Sequence, residues 1–263
     1  MRSGASDARA RVRTRPPVLL LTGNGLTAGV ALRLVAGLEV EFHVLAAAPA
    51  TTDDALAVLG AAGAEQAHVV GLSFGGAIAQ EIALDHPERV RSLVLGSTTA
   101  GGELYVAPAP EVRAFLGRLN ELPAEEGLWA SVPYVYATAT WRSHAPLIGE
   151  DIAARLRRPL DPRDYRRRHA AARAHNLAPR LVEITAPTLV LHGQQDRILP
   201  LDNGRWLGAG IPGARFMALR GGGHAFPTDV PDTTREVVSF LLAPSPRRAS
   251  SAPPRRSGRV TRA

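Results

Sequence analysis

The run Gly71-Leu72-Ser73-Phe74-Gly75-Gly76 closes an apolar stretch, Ala67–Leu72, and opens a nearly all-apolar one, Gly76–Leu84. This is G-x-S-x-G between a strand pattern and a helix pattern, the context in which a serine is presented as a nucleophile on a sharp turn. The flanking glycines let neighbouring backbone approach without a Cβ in the way. The helix start directs free N–H groups towards the serine, which favours developing negative charge. A serine alone is a poor nucleophile and needs a base that is itself held by an acid. Two later loops supply both. The strand pattern Pro187–Leu191 leads into His192-Gly193-Gln194-Gln195-Asp196, and Arg215–Leu219 leads into Gly221-Gly222-Gly223-His224. The order Ser73, Asp196, His224 is the one this kind of elbow uses. In that reading Ser73 attacks an acyl carbon, His224 takes and returns its proton, and Asp196 orients the imidazole. Asp202 is the rival acid; it lies beyond Pro200 and is read as a cap for a helix over residues 204–207. Asp229 and Asp232 are read as loop and cap residues before the last helix.

Acyl transfer also needs donors for the oxyanion. One is the backbone N–H of Phe74, the residue after the nucleophile. The other is expected from Thr22-Gly23-Asn24-Gly25, the loop after the first strand, with Asn24 as the donor. The remaining histidines read as structural: His43 and His68 with strands, His86 at a helix end, His192 beside the acid loop. His144, His169 and His175 fall between about residues 99 and 179. His169 ends an arginine run, Arg166–Arg168, read as a solvated helix face. No two histidines have metal-ligand spacing, so neither a metal nor another cofactor is expected.

These loops need strands to hold them. Apolar runs at Pro17–Thr22, Glu41–Leu45, Ala67–Leu72, Val90–Leu95, Pro187–Leu191 and Arg215–Leu219 alternate with helical patterns. Thr51 and Asp54 form a capping-box pattern before one helix, and Thr233 with Glu236 before the last, which turns Val237, Val238, Phe240 and Leu241 inward. Continuous apolar strands between helices predict an α/β fold with a mostly parallel, doubly wound sheet covered on both faces. The rhythm breaks between about residues 99 and 179, where helical fragments carry seven aromatic residues. An inserted helical cap is expected there.

The chain has 263 residues, enough for one large domain, and no cysteine, which excludes a cysteine nucleophile and a thiolate metal site. Its formal charge of +7 is carried by the ends. Residues 1–17 hold +4, residues 244–263 hold +6, and the body is mildly acidic at −3. Charge concentrated in the ends is not the footprint of a nucleic-acid-binding face. Residues 1–16 and the Arg/Pro-rich residues 244–263 have little to bury and are expected to be disordered around a domain spanning 17–243. No apolar run approaches a membrane span, and no apolar segment follows the N-terminal arginines as in a secretory signal, so a cytoplasmic location is expected.

On these motifs the chain resembles the α/β-hydrolase superfamily over about residues 17–243. GLSFGG, HPERVRSLVLGS (His86–Ser97), APTLVLHGQQD (Ala186–Asp196) and GGGH (Gly221–His224) carry the resemblance, which is strongest to enol-lactone hydrolase-like serine hydrolases. The resemblance implies hydrolysis of a small carboxylic ester or lactone through an acyl-enzyme, and the aromatics of the expected cap favour an apolar acyl or ring group. Three departures stand out. The usual N-terminal hairpin is missing, and Thr22-Gly23 replaces the usual His-Gly. The stretch after Glu41–Leu45 lacks a D-x-R-G-x-G-x-S loop, leaving the link about 15–20 residues shorter than the resemblance implies. Such a loop normally walls the pocket and buttresses the oxyanion loop. Its loss predicts a more open, weaker site, and the alternative reading is a ligand-binding protein on a weakened hydrolase scaffold.

Overall fold

The computed structural model describes residues 15–23, 28–157, 159 and 161–243. Asn24 and the two basic ends, 1–14 and 244–263, lie outside the described residues. Six strands form one sheet: β1 Pro17–Leu21, β2 His43–Ala47, β3 Ala67–Leu72, β4 Val90–Gly96, β5 Thr188–Gly193 and β6 Arg215–Leu219. Their order is β2-β1-β3-β4-β5-β6, and every pairing is parallel. The second strand begins two residues later than the sequence pattern suggests. Glu41 and Phe42 belong to the turn before it, and Phe42 packs edge-on against His68 at 5.6 Å.

Period-two alternation divides the strands between two cores. Leu19, Leu21, Val69, Leu93, Leu95 and Val190 face one side. There they meet α2 (Thr52–Ala61), α3 (Phe74–Asp85) and α9 (Asp202–Gly210). Val18, Leu20, Val70, Val94 and Leu189 face the other side, against α1 (Ala28–Leu38) and α11 (Thr233–Leu242). Helix α3 starts with Gly75 and Gly76, each costing roughly 1 kcal/mol in a helix. Its buried Ile78 and Ile82 return roughly 1.5–3 kcal/mol each, so burial decides.

The expected box at α2 forms. Thr51 Oγ1 accepts from the Asp54 N–H at 3.2 Å, and Asp54 Oδ2 accepts from the Thr51 N–H at 3.1 Å. The one expected at α11 does not. Asp232 is the cap residue without a side-chain bond, and Glu236 instead takes Arg215 of β6 at 3.0 Å. Asp202 is likewise no cap. It opens α9 as its first residue and pairs with Arg205 at 2.8 Å on the surface.

Between β4 and β5 the described residues form α4 (Pro110–Arg118), α5 (Ala124–Val135), α6 (Thr138–Ser143), α7 (Ala145–Leu156) and α8 (Pro162–Ala174). Val132, Val135, Tyr136, Ile148 and Ile152 give this insertion its own core, shared with Val30 of α1. Buried Asp151 is the polar bolt of that joint. It accepts from Arg33 of α1 at 3.1 Å, Tyr136 at 3.1 Å and Thr228 at 2.6 Å. Thr228 lies in the short helix α10 (Phe226–Asp229), just past His224.

Candidate active site

Ser73 sits between the end of β3 and the start of α3, with φ 53° and ψ −123°. A non-glycine residue there carries strain of order 1–3 kcal/mol. The surrounding bonds impose it. The Ser73 N–H donates to the Gly96 carbonyl at 2.9 Å, and its own carbonyl accepts from the Gly76 N–H at 2.9 Å and the Thr98 hydroxyl at 2.7 Å. Gly75 is what lets α3 start so close to β1, since a Cβ there would lie 2.2 Å from the Leu21 carbonyl oxygen.

The acid and the histidine arrive from adjacent strands. β5 and β6 run in parallel register from Leu189↔Arg215 to Gly193↔Leu219. The loops beyond them are stitched together by Gln195 N–H donating to the Gly222 carbonyl at 2.8 Å. Only a glycine fits at 193, where a Cβ would meet the Gly223 carbonyl oxygen at 2.3 Å. This approach brings Asp196 Oδ2 within 2.8 Å of His224 Nδ1, and His224 Nε2 within 3.1 Å of Ser73 Oγ. The three predicted side chains therefore form one continuous hydrogen-bonded chain, although 151 residues separate Ser73 from His224.

The partners assign the protons. Asp196 Oδ1 accepts from the backbone N–H groups of Ile198 at 2.9 Å and Leu199 at 2.8 Å. Burial works against its charge, but His224 and His192 on its other oxygen hold the carboxyl well below the usual carboxylate range. An ionised carboxylate only accepts, so His224 Nδ1 carries the proton, and Nε2 is left with a lone pair facing the Ser73 hydroxyl. His192, fully buried, donates through Nε2 to the Leu199 carbonyl at 2.8 Å and lies 3.4 Å from Asp196 Oδ2. It holds the acid loop, as the sequence reading expected.

Three further residues support the site, of which Thr98 and Arg168 escaped the sequence reading and Asp229 was read as a loop residue. Thr98 braces the serine turn. Asp229 ties the histidine loop to the insertion, accepting from Gly223 N–H at 2.7 Å and Ala137 N–H at 3.1 Å. Arg168 contradicts the expected solvated face. It is fully buried and donates through Nη2 to the carbonyls of Thr22 at 2.6 Å and Gly23 at 2.7 Å. The physical reason is helical spacing. Tyr165, Arg168, Ala172 and His175 fall on one stripe of α8 and its extension, and that stripe faces inward, while Arg167 faces solvent and Arg166, though exposed, borders the cavity.

Ser73 and His224 open into a cavity of about 1170 Å³ between the sheet and the insertion. Leu116, Leu119, Leu122, Leu128 and Leu156 supply much of its apolar wall. Of the seven insertion aromatics, only Tyr105 and Tyr165 reach it. Phe115 and Tyr134 stack on each other at 4.6 Å, and Tyr136 is spent on the insertion's own core. Phe74 is the first residue of α3, so its N–H is one of the donors that a helix start leaves without an intrahelical acceptor, and it directly follows Ser73. The link from β2 to α2 is residues 48–51 alone, and none of them lines the cavity. Among the described residues no cluster of three or more His, Asp or Glu could hold a metal ion, and no helix is long and apolar enough to cross a membrane.

Known proteins are similar to this chain in sequence and in fold. A model of the alpha/beta hydrolase family matches residues 21–237. The candidate carbamate hydrolase RutD of Caulobacter vibrioides is 32% identical over 196 residues, covering 72% of this chain and 70% of that protein. The 2-hydroxy-6-oxononadienedioate/2-hydroxy-6-oxononatrienedioate hydrolase of Cupriavidus pinatubonensis is 36% identical over 168 residues, 61% of this chain and 56% of that protein. In fold, the enol-lactonase of Burkholderia xenovorans LB400 matches with a TM-score of 0.74 at 23% identity, covering 88% of this chain and 92% of that one. With the family match spanning most of the domain and the parallel sheet agreeing, this chain belongs to the α/β-hydrolase family.

Proposed function

We propose that this protein is a serine hydrolase of small carboxylic esters or lactones, acting through Ser73, His224 and Asp196, on substrates that carry a carboxylate away from the reacting bond. The observation that carries the reading is the unbroken Asp196–His224–Ser73 chain ending at a cavity. In the reaction the Ser73 oxygen attacks the acyl carbon and its proton passes to His224 Nε2. The Phe74 N–H and the Asn24 N–H hold the oxyanion. His224 returns the proton to the leaving alkoxide, and a water repeats the sequence to release the acid. The second reading, a binding protein without turnover, draws only on the short link after β2.

The charge preference rests on the cavity wall. Arg113, Arg155, Arg166 and Arg173 line it, and among the described lining residues there is no aspartate or glutamate. A unit charge pair at 4 Å near a protein surface is worth roughly 4 kcal/mol before desolvation, enough to outweigh one extra methylene in an apolar pocket. The test compares 4-nitrophenyl hemisuccinate with 4-nitrophenyl butyrate. The charged ester should have the higher kcat/KM at low ionic strength, with the advantage shrinking as salt is added. A preference for the neutral ester at every salt concentration would contradict the charge assignment, and hydrolysis of neither ester would contradict the hydrolase reading.

A further inference from the structure

The cavity of about 1170 Å³ exceeds the roughly 300–1,000 Å³ that pockets for drug-sized ligands occupy. An ester the size of a butyrate would leave much of its wall against water. That wall is not uniform. Leu116, Leu119, Leu122, Leu128 and Leu156 are half-buried, whereas Arg113, Arg166 and Arg173 are exposed. The arginines that favour a charge thus stand nearer solvent than the leucines. Leu128 and Leu156 border the core of the insertion, but Leu116, Leu119 and Leu122 belong to none of the three cores. Apolar surface that a fold builds and leaves uncovered inside a cavity marks a ligand site.

The spacing of the leucines gives the shape of the ligand. Leu116, Leu119 and Leu122 recur every three residues along the end of α4 and the single turn that follows it, Leu119–Glu121. At about 1.5–2 Å per residue they mark about 9–12 Å of wall, the reach of an extended chain of roughly eight to ten carbons. Gly127 of α5 lines the same stretch without a side chain to fill it: its Cβ position lies 3.1 Å from Leu119 Cδ1 and 3.7 Å from Leu122 Cβ. Of the insertion's aromatics only Tyr105 and Tyr165 reach the cavity, so the wall is mainly aliphatic and suits a flexible chain better than a ring. Such a chain belongs to the acid part of the ester. The acid stays bound to Ser73 in the acyl-enzyme while the alcohol must leave, so the more sheltered wall serves the acid and the exposed side the alcohol.

We propose that the cavity is an acyl-chain site, in which the five leucines bind an unbranched acyl chain of roughly eight to ten carbons, the acid part of the ester that Ser73 attacks. The ester bond rests on the serine-hydrolase reading, whereas the binding of the chain does not. The charged group of that reading remains with the exposed arginines.

The test compares 4-nitrophenyl butyrate with 4-nitrophenyl decanoate, both below their aggregation limits, on the full-length protein. Each methylene that leaves water for an apolar wall is worth up to about fourfold, so the six added methylenes should raise kcat/KM about 60-fold even at twofold each. Leu119→Asn, which keeps the bulk and removes apolar surface, should lower the decanoate-to-butyrate ratio at least about fivefold. Leu119→Trp, which fills the wall, should lower it further. A wild-type ratio of one or less would overturn the proposal, as would an unchanged ratio in both folded variants; if one variant does not fold, the other decides. Ethyl decanoate and decyl acetate are isomers that carry the chain on opposite sides of the ester. Ethyl decanoate should be cleaved faster, and the reverse would move the chain to the alcohol and overturn the assignment. Calorimetric titration with sodium decanoate and sodium butyrate needs no turnover, and decanoate should bind at least about tenfold more tightly. A protein that cleaves both nitrophenyl esters alike and binds both acids alike would keep the hydrolase reading and lose this proposal. One that cleaves no ester but binds decanoate over butyrate would lose the hydrolase reading and keep the chain site.

Discussion

Asp196 and Asp202 are six positions apart and chemically identical, and their surroundings give them different work. Asp196 is buried, with two backbone donors on one oxygen and His224 on the other. Asp202 is exposed and pairs only with Arg205 across one helical turn. Exposed pairs of that kind are worth at most about 1 kcal/mol. Asp196→Asn should therefore favour the wrong imidazole tautomer and lower kcat by up to about 10⁴. Asp202→Asn should leave kcat within about twofold. Steady-state hydrolysis of a 4-nitrophenyl ester by both variants checks the assignment, and the reverse pattern would transfer the acid's role to Asp202. That Asp196, and not Asp202, meets His224 was legible in the sequence, because only Asp196 falls directly after a strand. The identity of its extra supporters was not, since the Ile198 and Leu199 N–H groups look like any loop backbone until the chain is folded.

At the scale of elements, the serine turn depends on how closely α3 approaches β1. Gly75→Ala would put a Cβ 2.2 Å from a carbonyl oxygen, which cannot rotate away as a side chain can. A loss of at least about 1–3 kcal/mol is expected, together with reduced turnover, because the helix start must shift. Gly60 in α2 makes an internal control, since nothing lies within 4 Å of its Cβ position and its φ is ordinary. Gly60→Ala should stabilise by roughly 0.4–1 kcal/mol through reduced unfolded-state entropy. Thermal melts of the two variants should thus move in opposite directions, and a shared direction would mean that the packing around α3 has been misread. The strands, the α3 helix and the Thr51 box were readable because hydrophobic period and capping chemistry are local. The α11 box was not borne out because Arg215, from a strand far away in sequence, captures Glu236. Local pattern cannot register such a competitor.

For the molecule as a whole, the same division holds between what the sequence displays and what folding adds. The parallel sheet, the placement of three site residues at strand ends and the shortened link after β2 were all readable, because each follows from strand rhythm and motif position. Arg168 was hidden inside a charged run, where composition argues for solvent. Only the inward stripe of Tyr165, Ala172 and His175 would have flagged it. The insertion thus does more than roof the cavity: it touches the loop of Asp196 through Thr138 to Gln195 at 3.0 Å, the loop of His224 through Ala137 to Asp229, and the end of β1 through Arg168 to Thr22 and Gly23. This assembly should make Ser73 a nucleophile, which intact-protein mass spectrometry after treatment with a fluorophosphonate reads out. A single adduct is expected, mapped to Ser73, absent from folded Ser73→Ala and strongly slowed in His224→Ala. A folded wild-type protein that takes up no label, or one labelled equally well without Ser73, would contradict it.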